Sequence, residues 1–258
     1  MIFTLKKFVF KVFYFLHNFL RKILGKKKFY VYTNYPFNRD GLATKFNFEF
    51  IKKKDFFNAY NKSMAPRMEW RAHVLGWAAK HAVNLGSGDF VECGTHTGGT
   101  ASFVFFYSKL YKTNKKFYLI DTFTGLVENL ISNEEKKEWK KDKVDPRKVF
   151  NTDVESIVRD KFKKYKNVKI IKGEIPAILQ KLKIKKISYL HIDLNNAFPE
   201  VAALNFFWNK IAKGGVIVAD DYGWPSHTVQ KREWDKFIQK KKNKILSLPT
   251  GQGLVIKN

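Results

Sequence analysis

The sequence predicts an α/β protein built on a doubly wound, mostly parallel sheet with an antiparallel hairpin at one edge. Three observations predict it. From Pro66 onward, short apolar runs that end in acidic or turn residues alternate with helix-like segments. A glycine-rich turn follows the first run directly, in DFVECGTHTGGT, Asp89 to Thr100. The chain closes with KILSLPTGQGLVIK, two β runs around a Pro-Thr-Gly-Gln-Gly turn.

Residues 1–28 are read apart from that fold, as a basic amphipathic helix. Lys6, Lys7, Lys11, His17, Asn18, Arg21 and Lys22 share one side at helical spacing, and Phe, Val and Leu fill most of the rest, although Phe3, Phe10 and Tyr14 intrude on the polar side. The charges interrupt the stretch too often for a membrane-spanning helix, and no small-residue cleavage site follows Leu24. Such a face suits a membrane interface, reached through residues 1–24, or a docking contact on the protein's own body or on a second copy in a homo-oligomer. Residues 29–65 read as an irregular extension, with NYPFNRDG as a turn and FNFEFI as a short extended segment.

The domain proper is expected over 66–258. PRMEWRAHVLGWAAKHAVNLG is a helix with Pro66 at its start and Gly86 as its stop. Phe90 and Val91 end a buried strand, and ASFVFFYSKLY is the helix after the turn. FYLIDTF, NVKIIKG, ISYLHID and GVIVADD are the next four strands. Between Phe123 and Asn167 the connection is too long and too charged for a simple crossover, and part of it is expected to cap the sheet edge.

A formal net charge of +26 invites a nucleic-acid or membrane partner, but the lysines are spread through nearly every polar stretch and suit solvated helix faces equally. Cys93 is the only cysteine, which excludes an intramolecular disulfide and a multi-cysteine metal site and fits a cytoplasmic setting.

Ligands of open parallel sheets bind outside the carboxyl ends of the strands, and acids stand at those ends here: Glu92, Asp121, Glu174 just past Gly173, Asp193, and the pair Asp220 and Asp221. Asp121 lies 27 positions after Gly94, comparable to the spacing of about 20 between a glycine turn and the acid that binds a ribose diol.

In order and spacing, FVECGTHTGG, FYLIDTFTGL, VKIIKGEIPAIL, YLHIDLNNAFPEVAALNFFW and KGGVIVADDYGW resemble the successive motifs of class I S-adenosylmethionine-dependent methyltransferases, in particular the macrocin O-methyltransferase (TylF-like) family, over about Pro66 to Asn258. The resemblance implies the Rossmann-like class I methyltransferase fold. It places S-adenosylmethionine on Glu92, Gly94, Thr95, Gly98, Asp121, Thr122, Gly173, Glu174 and Asp193, with Asp121 on the ribose and Gly173 with Glu174 bordering the adenine. It also implies a divalent metal on Asp193, Asp220 and Asp221. Charge points the same way, since clustered carboxylates repel unless neutralised and all-oxygen ligation suits Mg2+ or Mn2+. Where many relatives read Asp-x-Asp-x-Tyr, this chain reads Asp193-Leu194-Asn195-Asn196-Ala197, which leaves an Asn amide as the substitute ligand.

The implied activity is metal-assisted O-methylation of a sugar hydroxyl on a glycan or glycosylated small molecule, with Asp193 or His227 taking the proton. Trp224 is read either as a stacking platform for a sugar face or as ordinary packing. The basic N-terminus extends the expectation to the inner face of the membrane. Two alternatives are a nucleic-acid methyltransferase, against which the lack of adjacent prolines counts for base amino groups, and a non-catalytic membrane-associated S-adenosylmethionine-binding protein. The full chain should bind anionic vesicles better than neutral ones, and salt should weaken that binding. Removal of residues 1–28 should abolish the preference and leave a folded enzyme in circular dichroism; aggregation or unfolding would instead assign the segment to the core or to a subunit contact.

Overall fold

The computed structural model describes residues 65–142, 145–150 and 153–258, so the segment 1–28 and nearly all of the 29–65 extension lie outside the described residues. Helix α1 (Ala65–Asn84) comes first. Ala72, Leu75, Ala78, Ala79 and Ala82 recur at helical spacing and all are buried, which fixes the face it turns to the sheet. Gly86 stops it, with φ +74° and its N–H donated to the Val83 carbonyl.

Strands β1 (Asp89–Cys93), β2 (Phe117–Asp121), β3 (Val168–Lys172), β4 (Ile187–Ile192) and β5 (Ile211–Ala219) run parallel, and β6 (Leu246–Ser247) and β7 (Gly253–Ile256) close the edge as an antiparallel pair. Their spatial order is β3-β2-β1-β4-β5-β7-β6. Order reverses at β1 and β4, the switch point where such sheets open a crevice at the carboxyl ends of their strands.

Helix α2 (Gly99–Tyr107) follows β1, α6 (Ala197–Trp208) follows β4 and α7 (Thr228–Lys240) follows β5. Between β2 and β3 lie α3 (Asn133–Asp142), α4 (Arg147–Phe150) and α5 (Glu155–Phe162). Helix-like segments were expected between all strands, yet β3 reaches β4 through a single 3-10 turn, Ala177–Lys181. Ile175, Leu179 and Ile184 of that link cover the sheet where a helix was expected.

The sheet is apolar on both faces. Phe90, Phe117, Leu119, Tyr189, Val216 and Val218 face α1, α2 and α5, while Val91, Cys93, Ile120, Leu190, Ile192 and Ile217 face α6 and α7. β4 is buried at every position, as its unbroken run ISYLHI requires of a central parallel strand. Cys93 belongs to this packing, and burial pushes its thiol well above the usual range.

Glu200 ties α6 to α7 beneath the site. Its Oε1 accepts from Leu194 N at 3.2 Å and Gln230 Nε2 at 2.9 Å, and its Oε2 accepts from Trp234 Nε1 at 2.7 Å. Burial outweighs these donors and pushes its pKa up to about 8. A carboxyl whose pKa is raised on folding favours the native state at low pH, and that contribution is lost as pH rises from the unfolded value near 4.5 to about 8. Denaturant titrations should show Glu200→Ala less stable by about 1–3 kcal/mol, because buried donors lose their acceptor. The same variant should also lose part of the decline in stability between these pH values; an unchanged pH slope would remove Glu200 as its source.

Candidate active site

Register brings the acids together. Gly94 N donates to Ile120 O at 2.9 Å, Asp193 N to Cys93 O at 2.8 Å, Asp220 N to Ile192 O at 3.0 Å and Gly173 N to Asp121 O at 2.9 Å, so the five parallel strands end level. A side chain at Gly94 is excluded, since a Cβ there would lie 1.7 Å from the Asp193 carbonyl oxygen. The residue also sits at φ +88°, a conformation glycine tolerates best.

Asp121 organises the turn. Its Oδ2 accepts from Thr95 N at 2.6 Å and His96 N at 2.7 Å, and its Oδ1 accepts from Phe123 N at 2.6 Å and Thr122 Oγ1 at 3.3 Å. The carboxylate pins the glycine turn to the end of β2, while Gly98, at φ +73°, leads the chain into α2. A cleft of about 790 Å³, counted to its open mouth, lies alongside and is lined in part by Gly94, Asp121, Thr122, Gly173, Ile175 and Asp193. The Thr95 and Thr97 hydroxyls are buried in the turn without a hydrogen-bond partner, which fits a site built to meet a polar ligand.

Behind the cleft the acids are held by cations. Arg71 of α1 is buried; its Nη2 lies 2.5 Å from Asp220 Oδ2 and 2.6 Å from Asp221 Oδ1, and also donates to the Asp220 carbonyl. Fully buried His191 places Nδ1 3.0 Å from Glu92 Oε2 and Nε2 3.4 Å from Asp220 Oδ1. Burial disfavours a charged imidazole, but the two carboxylates outweigh it and push the His191 pKa up to about 10. Burial works in the opposite sense on Asp220, where Arg71 and His191 prevail and hold its carboxyl below the usual range. At Asp193, burial and the neighbouring Asp220 and Asp221 charges together raise the pKa well above that range. Gln252, in the turn between β6 and β7, donates Nε2 to Asp220 Oδ1 at 2.8 Å, so the edge hairpin reaches the site.

The charged connector supplies the rim. Ser132 and Glu135 form a reciprocal capping box at the start of α3: Ser132 N donates to Glu135 Oε2 at 2.9 Å and Glu135 N to Ser132 Oγ at 3.2 Å. Glu135 Oε1 also accepts from Ala197 N at 2.8 Å, the first residue of α6, and Glu138 Oε1 accepts from Thr228 N at 2.9 Å, the first of α7. Acids of one helix thus cap two others at the strand ends, where helix N-termini favour negative charge.

Of the residues expected to form the site, Gly94, Asp121, Thr122, Gly173 and Asp193 share the cleft wall. Thr95 meets Asp121 through its backbone. Glu92 is wholly buried and turned to His191, and the Glu174 side chain is exposed beside the cleft. Asp220 and Asp221 lie behind it on Arg71. His227 is buried, with Nε2 3.9 Å from Asp221 Oδ2. Asn196 caps α6 through a bond from Phe198 N at 3.1 Å, and Asn195 donates to Asp193 Oδ1 at 3.0 Å. The Trp224 ring lies 5.8 Å from the Arg71 guanidinium. Sequence reasoning missed Arg71, His191, Gln252 and Glu135; only Glu135 left a local signal, in the Ser-x-x-Glu box.

The sequence model of the family described as macrocin-O-methyltransferase (TylF) matches residues 65–247. Among solved structures, the fold is similar to the O-methyltransferase NovP, with a TM-score of 0.61 and 18% identity over 73% of this chain and 79% of that one. It is also similar to CalS11, a calicheamicin methyltransferase, with a TM-score of 0.58 and 13% identity over 83% and 87%. An apo structure of CalS11, described as a TDP-rhamnose 3'-O-methyltransferase, gives 0.52 and 13% over 83% and 88%. No curated protein matches the sequence.

Asp121→Ala strips three backbone N–H groups of their acceptor and removes a carboxylate from the cleft wall. Calorimetry should show S-adenosylhomocysteine binding weakened by about 1.5–3 kcal/mol. Unchanged affinity would take Asp121 out of the cofactor site.

Proposed function

The chain belongs to the macrocin-O-methyltransferase (TylF) family, and from that premise we propose that this S-adenosylmethionine-dependent O-methyltransferase methylates a sugar hydroxyl on a glycan or glycosylated small molecule. The observation that carries the reading is Asp193, at once in the wall of the cofactor cleft and next to the Asp220 and Asp221 pair. The sugar O-methyltransferase CalS11, with the same fold, supports the substrate class by analogy.

S-adenosylmethionine supplies an activated methyl group on a sulfonium, so the protein has to orient the acceptor and remove its proton. In this reading Asp121 holds the ribose, and Thr122, Gly173 and Ile175 border the adenine. Asp193 accepts the proton from the acceptor hydroxyl. Buried His227 is the second candidate for the same role.

The carboxylates suit a divalent ion, Mg2+ or Mn2+, in type. Asp193 and Asp220 each offer an oxygen within 4.8 Å of the other, and Asp221 Oδ2 stays off Arg71; His191, held protonated between Glu92 and Asp220, is not counted as a ligand. When bound, such an ion would lower the pKa of the acceptor hydroxyl. Asp193, Asp220 and Asp221 would hold it. Asn196 is committed to its helix cap, which leaves Asn195 as the amide nearest the cluster.

The basic N-terminal segment supports work at the inner membrane face as a peripheral protein; among the described residues no helix is long and apolar enough to cross a membrane. Incubation with S-adenosylmethionine and sugar-nucleotide or glycan acceptors, followed by mass spectrometry, should show the gain of one methylene per acceptor. Chelator should abolish the reaction, and Asp220→Asn should lower turnover at least about a hundredfold with little change in S-adenosylhomocysteine affinity. Cofactor binding without transfer to any hydroxylated acceptor would favour a non-catalytic binding protein, and full turnover in chelator would end the metal role.

A further inference from the structure

Arg71 occupies a position usually given to a bridging cation. One nitrogen, Nη2, stands within 2.6 Å of both Asp220 Oδ2 and Asp221 Oδ1. Of the four oxygens of the pair, two are on Arg71, and Asp220 Oδ1 accepts from Gln252. Among the described residues, the cation nearest Asp221 Oδ2 in the ion pairs is His227 at 3.9 Å, beyond hydrogen-bond reach.

The arginine is itself incompletely satisfied, since its Nε is buried without a hydrogen-bond partner. A guanidinium serving only as a permanent brace would be expected to have its donors matched, because an orphaned buried donor is costly. Its charge also opposes any second cation at the same carboxylates. At a separation of about 5 Å, a unit charge and a dication repel appreciably even with the screening of bulk water.

We propose that Arg71 is an internal competitor for the divalent ion: it holds the acid pair together when no ion is bound and keeps the site's affinity for the ion low. The proposal rests on the metal reading above. Under it, tight binding of the ion calls for ligands beyond the protein's own, a part that acceptor hydroxyls can play.

The test is titration of the full chain with Mn2+ alone, following the free-ion signal by electron paramagnetic resonance. Arg71→Met removes the charge at similar length and should bind Mn2+ at least about tenfold more tightly than the wild type. Arg71→Lys, which retains a charge on a side chain that ends one atom short of Nη2, should tighten binding by a smaller factor, and carries the test alone if the methionine variant does not fold. Equal or weaker binding in a folded variant would overturn the proposal and make Arg71 a brace whose loss scatters the ligands. Absence of Mn2+ binding in both variants would overturn it too, because removal of a competitor should unmask the site. The chelator assay separates this from the metal reading: wild-type turnover lost in chelator with no tightening in either variant sinks only the competitor role. Tightening alongside chelator-resistant turnover sinks only the catalytic role of the ion.

Discussion

The site depends on one close approach, that of Gly94 to the Asp193 carbonyl. It is the point where β1 and β4 stop together, and no side chain fits between them. Because β1 is the middle one of the five parallel strands, its end sets the level for β2 on one side and for β4 and β5 on the other. Asp121, Asp193 and Asp220 then follow from register, each one residue beyond or at the last paired position of its strand. A side chain at Gly94 would push β4 away and separate the cofactor cleft from the acid pair.

Gathering acids at one level creates an electrostatic debt that the rest of the domain discharges from a distance. Arg71 comes from the first helix, His191 from the interior of β4 and Gln252 from the last hairpin. These three elements are on different sides of the sheet or at its edge, so the charge balance of the site also locks the layers together. The result is graded. Asp220, next to two cations, is held ionised, whereas Asp193, with neighbouring carboxylates and only distant relief, is driven toward the protonated form. Two acids of the same type thereby acquire opposite tendencies from their surroundings alone.

Much of this was legible in the chain before any coordinates. Strands showed as apolar runs because both faces of the sheet are covered, and their ends showed as acids and glycines because those residues serve the crevice and the turns. The TGQG turn marked the edge hairpin. What stayed illegible was pairing over distance: Arg71 meets acids about 150 positions later, and nothing in EWRAHV sets it apart from the other basic residues of a chain with net charge +26. His191 inside an apolar strand gave no hint of its carboxylates, since a lone histidine in such a run is as readily a packed one. The expectation that the clustered acids need a metal for neutrality overlooked Arg71 for the same reason. In SNEEKKEWKKD, the acids of α3 were lost among lysines that face water, and only their partners, Ala197 and Thr228, reveal the difference.

Those same acids bear on how the protein could be remodelled. The connector between β2 and β3 is the longest insertion in the sheet's plan and its α3 lies against the starts of α6 and α7 at the strand ends, so it is the natural segment to exchange between relatives. Yet α3 is not a detachable ornament, because Glu135 and Glu138 complete the first turns of α6 and α7. A transplanted connector would have to carry two carboxylates at this spacing, or the recipient would need its own Ser, Thr or Asp at the starts of both helices. Diversification of the rim is thus constrained by grammar three residues long, and chimeras that ignore it would fail at the helix ends well before substrate choice came into play.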